Sequence, residues 1–176
     1  SIHLARASLE MTNKNNAEAR KFIDQALLLK TDYTDAIFLL AQIETNEGNL
    51  SAAIKQAERA GALTPRDPTV FFRLGLLRYN NSDYAGAVSA FEQAVIIDNN
   101  YLNARFFLGE SYKKVGRKED ALTQFNILNK VLPDNQDIKD AISSLSSAGA
   151  PDTKETSDKK TSDKTVPEKL PLSGER

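Results

Sequence analysis

Hydrophobic residues in the middle of the chain recur at helical spacing, in two blocks separated by a polar turn. The first block carries Phe71, Leu74 and Gly75 at i, i+3 and i+4, which is the spacing of one face of an α-helix. The second block carries, again at helical spacing, Tyr84, Ala87, Val88, Phe91, Ala94 and Val95. The pattern predicts a two-helix hairpin. A lone hairpin cannot bury such a face, so it needs neighbours of matching shape.

The neighbours are copies of the hairpin, because the same pattern recurs at a fixed interval along the whole array. One small position of the repeat is occupied by Ala19, Ala53, Ala87 and Ala121, and another by Ala7, Ala41, Gly75 and Gly109. The predicted helices are 2–14, 17–30, 34–47, 50–63, 68–81, 84–97, 102–115 and 118–131. A ninth helix is predicted over 135–147, with an apolar stripe formed by Ile138, Ala141, Ile142 and Leu145.

The repeat resembles the tetratricopeptide family, whose pattern is Trp-x2-Leu-Gly-x2-Tyr, then Ala-x3-Phe, then Pro, in about 34 residues. Repeat 102–135 supplies Leu108, Gly109, Tyr112, Ala121, Phe125 and Pro133, with Arg105 in place of Trp. Repeat 68–101 supplies Phe71, Leu74, Gly75, Ala87 and Phe91, and departs at Arg78 and Asn99. Repeat 34–67 supplies Ile37, Leu40, Ala41, Ala53 and Pro65, and departs at Glu44 and Ala57. Repeat 1–33 matches mainly by register.

The resemblance implies an all-α fold, a right-handed α-solenoid of four helical hairpins with a C-terminal capping helix at 135–147. We expect the array to form one domain over 1–148. The segment 149–176 contains no aromatic residue, and its six acidic residues balance six basic ones. Such a segment buries too little apolar area to offset the entropy of ordering, so it is predicted to be a disordered polar tail.

Four glycines are predicted to have structural roles. Gly75 and Gly109 lie where the first helix of a hairpin, helix A, meets the second, helix B, and a larger side chain would push the two axes apart. An interior glycine costs a helix about 1 kcal/mol relative to alanine, so its recurrence indicates close packing. Gly48 and Gly116 fall in the turns between helices A and B, where positive φ is easily adopted by glycine.

Composition excludes several functional classes. The chain has 176 residues and a net charge of −1, and this near-neutral balance argues against a nucleic-acid-binding domain, which would show a basic patch or stripe. It contains no cysteine, and no apolar run approaches the roughly 20 residues of a membrane span. His3 is the only histidine, which excludes a Ser/His/Asp or multi-histidine metal site within the chain. We therefore expect no catalysis, no cofactor and no metal.

Function is expected in the concave groove that A helices line in this family. The groove residues implied by the repeat register are Phe38, Leu39, Gln42, Phe72, Arg73, Leu76, Tyr79, Phe106, Phe107, Glu110 and Lys113. Together they form an aromatic and apolar ladder with a few polar positions. The predicted function is a protein-interaction scaffold or adaptor that binds a peptide or helix of a protein partner, with affinity from the aromatic rings and orientation from Arg73, Glu110 and Lys113.

Packing is an equally weighted role for Phe38, Phe72 and Phe106, because rings at this position also pack between adjacent A helices.

Some members of the family bind chaperones through a specialised groove, called a clamp, and the sequence can be compared directly with its residue pattern. The clamp needs Lys, Asn, Asn, Lys and Arg at five positions, where the first three repeats give Leu4, Ser8, Leu39, Thr69 and Arg73. Only Arg73 matches the clamp. If the clamp is placed on repeats two to four instead, none of its five positions matches. A chaperone-tail clamp is not expected.

Two alternatives stay open at this point. The runs 33–44, 70–80 and 103–109 are similar to C-terminal repeats of bacterial membrane proteins related to O-antigen ligases and polymerases. That similarity implies a soluble accessory domain outside the cytoplasmic membrane, in the cell envelope; without it, the cytoplasm is expected. Because the chain begins at Ser1 without a preceding cap, we expect the natural polypeptide to extend upstream, with a membrane-embedded part if the similarity holds. We also expect an exposed apolar edge around Leu4 and Leu9, which makes self-association or a spacer role the second alternative.

Overall fold

The structure, a computed structural model, describes residues 2–147 and places nine α-helices and no strand in that range. The helices are α1 (Ile2–Thr12), α2 (Asn16–Leu29), α3 (Thr34–Asn46), α4 (Leu50–Leu63), α5 (Pro68–Asn80), α6 (Tyr84–Ile97), α7 (Leu102–Lys114), α8 (Lys118–Val131) and α9 (Gln136–Ser147). Every bound lies within two residues of its prediction. Each odd-numbered helix up to α7 pairs with the next as a hairpin, and each hairpin stacks on its neighbours. The predicted all-α solenoid is confirmed; the predicted tail lies outside the described residues.

The hairpins close through complementary residue size. A Cβ added to Gly75 on α5 would lie 2.5 Å from the ring of Phe91 on α6, and one added to Gly109 would lie 2.8 Å from the ring of Phe125. Both rings are fully buried. Since no real Cβ approaches a ring this closely, glycine is required where helix B carries phenylalanine. The prediction that helices A and B meet at these two glycines, where a larger side chain would push the axes apart, is confirmed.

All four turns between helices A and B share one backbone conformation. Gly48 and Gly116 have φ of +81° and +79°, and Lys14 and Ser82 have φ of 60° and 62°. These four positions occupy the same register in successive repeats, so each hairpin closes with a left-handed residue at the same place. The predicted positive φ of the two glycines is confirmed. The other two turns hold a residue with a side chain in a conformation that costs it roughly 1–2 kcal/mol.

Two departures from the family pattern are compensated by ion pairs across the hairpin junctions. At the family's tyrosine position, Tyr112 donates a hydrogen bond to Glu92 of the preceding helix B, with the oxygens 2.5 Å apart. One repeat earlier, Arg78 takes the tyrosine position and binds the equivalent Glu58 at 2.7 Å. In the second repeat Glu44 takes it and binds Arg20 at 2.8 Å. Each repeat thus keeps a polar contact with the preceding hairpin, whichever residue occupies the tyrosine position.

The buried side chains of the described residues form four clusters that are unevenly distributed along the array. One large cluster of buried side chains spans α5 to α9 and includes Phe91, Phe107 and Phe125. A smaller cluster around Ile23 and Ile43 holds α1 to α3 together. Two groups of three buried residues connect α4 to its neighbours. The second half of the array therefore has the larger hydrophobic core.

The array ends as predicted at its C-terminal side. Ile138, Ala141 and Leu145 of α9 are buried against the large cluster, while Lys139 and Asp140 face solvent. At the other side, Leu9 on α1 is 59% exposed, as predicted. The same prediction is wrong for Leu4, which is buried because it packs into the cluster of α1 to α3.

Candidate functional site

An open apolar cavity lies between α3 and α5 on the face formed by the A helices. Its volume is about 340 Å³. The lining residues come from these two helices alone: Phe38, Ala41, Gln42, Thr45, Arg73, Leu76, Leu77 and Asn80. The backbones of α3 and α5 come close at fewer positions than those of α1 and α3 do. The cavity occupies the resulting gap.

One repeat position explains why this gap is open and the next one is closed. Phe107 on α7 projects against α5, where its ring lies 6.0 Å from the rings of both Phe72 and Tyr79, centroid to centroid. Arg73 stands at the equivalent position of α5, one repeat earlier. Its exposed guanidinium lies 4.7 Å above the ring of Phe38 on α3. A phenylalanine fills its gap, whereas the long polar chain of arginine leaves the cavity beside it open.

The predicted groove residues therefore divide into four sets. Four of them line the cavity: Phe38, Gln42, Arg73 and Leu76. Three others, Phe72, Phe106 and Phe107, are buried in the large core cluster, with at most 9% of their surface exposed. The expectation that these three line an accessible groove is corrected, because the neighbouring helices and rings cover them. Leu39 is partly buried and packs against the cluster of α1 to α3.

The remaining three groove residues cluster between α5 and α7. Glu110 and Lys113 form an ion pair on α7, with nitrogen and oxygen 2.8 Å apart. Tyr79 packs edge-on against Tyr84 and Phe107. Burial, aided by the charge of Glu110, raises the pKa of Tyr79 to about 12. This phenol therefore stays neutral at any physiological pH. Because Lys113 and Glu110 neutralise each other, the cluster carries no net charge.

Two amide side chains on opposite walls of the cavity have no partner in the described part of the chain. Gln42 on α3 is exposed and Asn80 on α5 is half-buried, and neither makes a side-chain hydrogen bond there. Thr45, by contrast, already donates its hydroxyl to the carbonyl of Ala41 at 2.8 Å. Asn80, Ala41 and Leu77 were not among the predicted groove residues. Asn80 directly follows Tyr79, one of the predicted groove residues, at the end of α5.

Sequence models of the tetratricopeptide repeat match the chain over residues 4–69, 38–101 and 80–145. The first two matches begin one repeat apart, in agreement with the period of the sequence. The chain belongs to the tetratricopeptide repeat family. Proteins of this family are in general non-enzymatic scaffolds for protein interactions, and membership in it supports a protein-interaction scaffold for this chain. No curated protein sequence matches the chain.

Solved structures of other tetratricopeptide proteins share the fold. MamA matches with a TM-score of 0.72 at 15% identity, over 81% of this chain and 83% of its own. YrrB, described as a TPR protein with an unusual peptide-binding site, matches with a TM-score of 0.71 at 20% identity, over 83% and 75%. The first TPR of Spaghetti (RPAP3), bound to an HSP90 peptide, matches at 0.59 and 16%, over 65% and 94%. At these identities the likeness concerns the fold alone.

Other kinds of site find no support within residues 2–147. No group of three or more histidine, cysteine, aspartate or glutamate side chains in that range could hold a metal ion. None of the described helices has the length and apolarity needed to cross a membrane.

Proposed function

We propose that this tetratricopeptide array is an adaptor that captures a short segment of a partner protein in the cavity between α3 and α5. The observation that carries the proposal is the cavity itself, whose volume of about 340 Å³ falls in the range of small ligand sites. It combines an apolar floor with a few polar groups, which is the composition expected of a specific binding site. Four residues implied by the repeat register line it.

The apolar floor consists of the partly buried side chains of Phe38, Leu76 and Leu77. A partner side chain placed there would remove apolar surface from water on both sides, at roughly 25 cal/mol for each Å² buried. Gln42 on α3 and Asn80 on α5 also line the cavity, with free donors and acceptors. Amide side chains in that position suit the N–H and C=O groups of a bound backbone.

A peptide-display experiment tests the proposal without knowledge of the natural partner. Random seven-residue peptides are selected on the full chain, synthesised, and titrated into wild-type and variant proteins. Gln42→Trp places a large ring in the mouth of the cavity without touching the core. We expect it to weaken the selected peptides at least tenfold, which corresponds to about 1.4 kcal/mol.

The matched control is Gln93→Trp, the same change at an exposed position of α6 outside the cavity. It should leave the affinities within a factor of two. Failure to select any peptide, or equal weakening by both variants, would overturn the assignment of the cavity as the binding site.

Self-association is a second candidate, favoured by the exposed apolar side chains of α1. Ile2 and Leu9 are 67% and 59% exposed on that helix. If this surface stacks on another array, the sedimentation coefficient should rise with concentration and Leu9→Glu should abolish the rise. The role as an accessory domain of a membrane-embedded polysaccharide ligase or polymerase stays a prediction from resemblance.

A further inference from the structure

Apolar side chains mark the C-terminal end of every B helix. The last residues of α2, α4, α6 and α8 are Leu29, Leu63, Ile97 and Val131. The residue before the last is also apolar in two of these helices, where Leu28 is 83% and Ile96 is 73% exposed. Because the hairpins stack in order, these six residues follow one another along one edge of the array, and we call them the apolar ridge. A contiguous apolar surface of this kind marks an interaction site.

An open cavity lies beside the ridge, between α2 and α4. Its volume is about 390 Å³, and its lining residues are Asp24, Leu27, Leu28, Thr31 and Arg59. The guanidinium of Arg59 donates a hydrogen bond to the carbonyl of Thr31 at 2.8 Å, which ties α4 to the link after α2. Leu27 and Leu28 give the cavity an apolar wall. A protruding aliphatic side chain therefore finds space and apolar contact at this point of the ridge.

Residue sizes along the ridge are complementary when two copies of it run in opposite directions. The position before the last residue of each B helix is exposed and carries, from the first repeat to the fourth, Leu28, Ala62, Ile96 and Lys130. In a two-fold pair with opposite directions, the second repeat faces the third, so Ile96 meets the small Ala62 of the other copy. Leu28 meets Lys130, whose aliphatic stem covers apolar surface while its charge stays in water. Pairing each repeat with its own copy would instead set Ile96 against Ile96.

The charges next to the ridge match in the same arrangement. Arg66 lies in the link after α4 and Asp98 directly after α6, and neither forms an ion pair within residues 2–147. The arrangement brings Arg66 of each copy towards Asp98 of the other, at two symmetric places. The first and fourth repeats each bring one cation and one anion to the contact: Lys30 and Asp32 in one, Lys130 and Asp134 in the other. Opposite charges therefore flank the apolar contact along its whole length, which favours this direction of pairing.

We infer that this chain forms a dimer with a second copy of itself through the apolar ridge, with the two arrays antiparallel. A stable interface takes about 20–30 residues from each partner, which the last two turns of four B helices and the links after them supply. A contact that uses the same surface on both copies closes at two. The inference goes beyond the proposed function, because the cavity between α3 and α5 is lined by A helices and stays open in both copies. It also differs from stacking through α1.

Sedimentation equilibrium of the full chain tests the dimer. The mass of the wild-type protein should rise with concentration to twice 19.4 kDa and stop there. Ile96→Glu changes an exposed side chain in the middle of the ridge, so the fold is retained, and helix content by circular dichroism should be unchanged. The variant should raise the dissociation constant of the dimer at least tenfold, because it places a carboxylate in an apolar contact.

Leu9→Glu is the matched control, since Leu9 is an exposed apolar residue of α1, away from the ridge. It should leave the dimer unchanged. A wild-type protein that stays monomeric, a dimer that tolerates Ile96→Glu, or one that Leu9→Glu abolishes would overturn the inference. Peptide capture in the cavity between α3 and α5 does not depend on any of these results.

Disulfide cross-linking tests the direction of pairing, because the chain contains no cysteine of its own. Ala62→Cys and Ile96→Cys in one protein should give a covalent dimer under mild oxidation, since each new thiol faces the other kind across the interface. Ala62→Cys alone is the control. Its two thiols would lie a full repeat apart, beyond the Cα separation of about 7 Å that a disulfide spans. Equal cross-linking of the two proteins, or none in the double variant, would overturn the antiparallel dimer.

Discussion

Where helices A and B meet, the size of a residue on one helix is matched to that of the residue it faces on the other, as in the pair Gly75 and Phe91. Where helix B carries phenylalanine, helix A carries glycine; in the second hairpin, Ala57 on helix B allows Ala41 on helix A. The same pair of repeat positions is therefore packed either by glycine against phenylalanine or by alanine against alanine. A change on one side alone should cost stability.

Gly75→Ala is expected to destabilise the protein. The new methyl group would lie 2.5 Å from the Phe91 ring, and overpacking of this kind costs typically about 1–3 kcal/mol. The gain in helix propensity offsets at most about 1 kcal/mol of that. Chemical denaturation of the full chain should show a loss of about 1–2 kcal/mol in the free energy of unfolding.

Gly61→Ala is the control for the same chemical change. Gly61 is also buried within a helix, but its added Cβ would lie 3.6 Å from Phe71, an ordinary contact. This variant should gain up to about 1 kcal/mol from helix propensity. If both variants shifted stability in the same direction, steric fit would not be what sets glycine at position 75.

At the scale of the elements, the turns between A and B helices are uniform in backbone and varied in residue type. The left-handed residue is glycine in two turns, lysine in the first and serine in the third. A position that requires positive φ of this kind favours glycine over residues with a Cβ. The turn between α5 and α6 therefore contains strain that a substitution can remove.

Ser82→Gly should raise the free energy of unfolding by about 0.5–1 kcal/mol, since relief of the left-handed strain exceeds the extra entropy that glycine loses on folding. Thermal and urea denaturation would measure the change. Ser89→Gly, made at an exposed position inside α6, should lower stability by about 0.5 kcal/mol through helix propensity. If both substitutions changed the free energy of unfolding in the same direction, Ser82 would not be strained by its left-handed conformation.

Helix positions and hairpin packing could be predicted from the sequence, because the period of the repeat fixes both. The openness of the groove could not. Phe38, Phe72 and Phe106 share one register, yet only Phe38 lines the cavity, while the other two are buried. For Phe38 and Phe72 the difference comes from the adjacent register position of the next A helix, where Arg73 leaves space and Phe107 fills it. Phe106 is covered instead by the rings of Phe107 and Phe125, whose centroids lie 5.8 and 5.6 Å from its own. Whether a phenylalanine at this position is exposed or buried depends on the distance between neighbouring A helices, which the sequence of one repeat does not specify.

On the scale of the whole molecule, the uneven core divides the array into two halves. Stability in a repeat protein is approximately a sum over repeats and their interfaces. The largest buried cluster spans α5 to α9, and the first three helices share a smaller one. Opening of the array should therefore begin in the first hairpin.

Hydrogen exchange followed by mass spectrometry on the full chain should show this order. Amides of α6, α7 and α8 are expected to exchange slowest, and those of α1 and α2 to exchange faster by at least an order of magnitude, which corresponds to local opening that is easier by about 1.4 kcal/mol. Equal protection from α1 to α8 would mean that the array opens as one cooperative unit instead.

The distribution of tyrosines has a consequence for optical spectroscopy. The chain has five tyrosines and no tryptophan, and four of the five, Tyr79, Tyr84, Tyr101 and Tyr112, belong to the third and fourth repeats. Three of these make ring–ring contacts there. Near-ultraviolet circular dichroism and intrinsic fluorescence therefore report mainly on one half of the array. Unravelling of the first hairpin would be almost invisible to them, and far-ultraviolet signals would fall first in a melt.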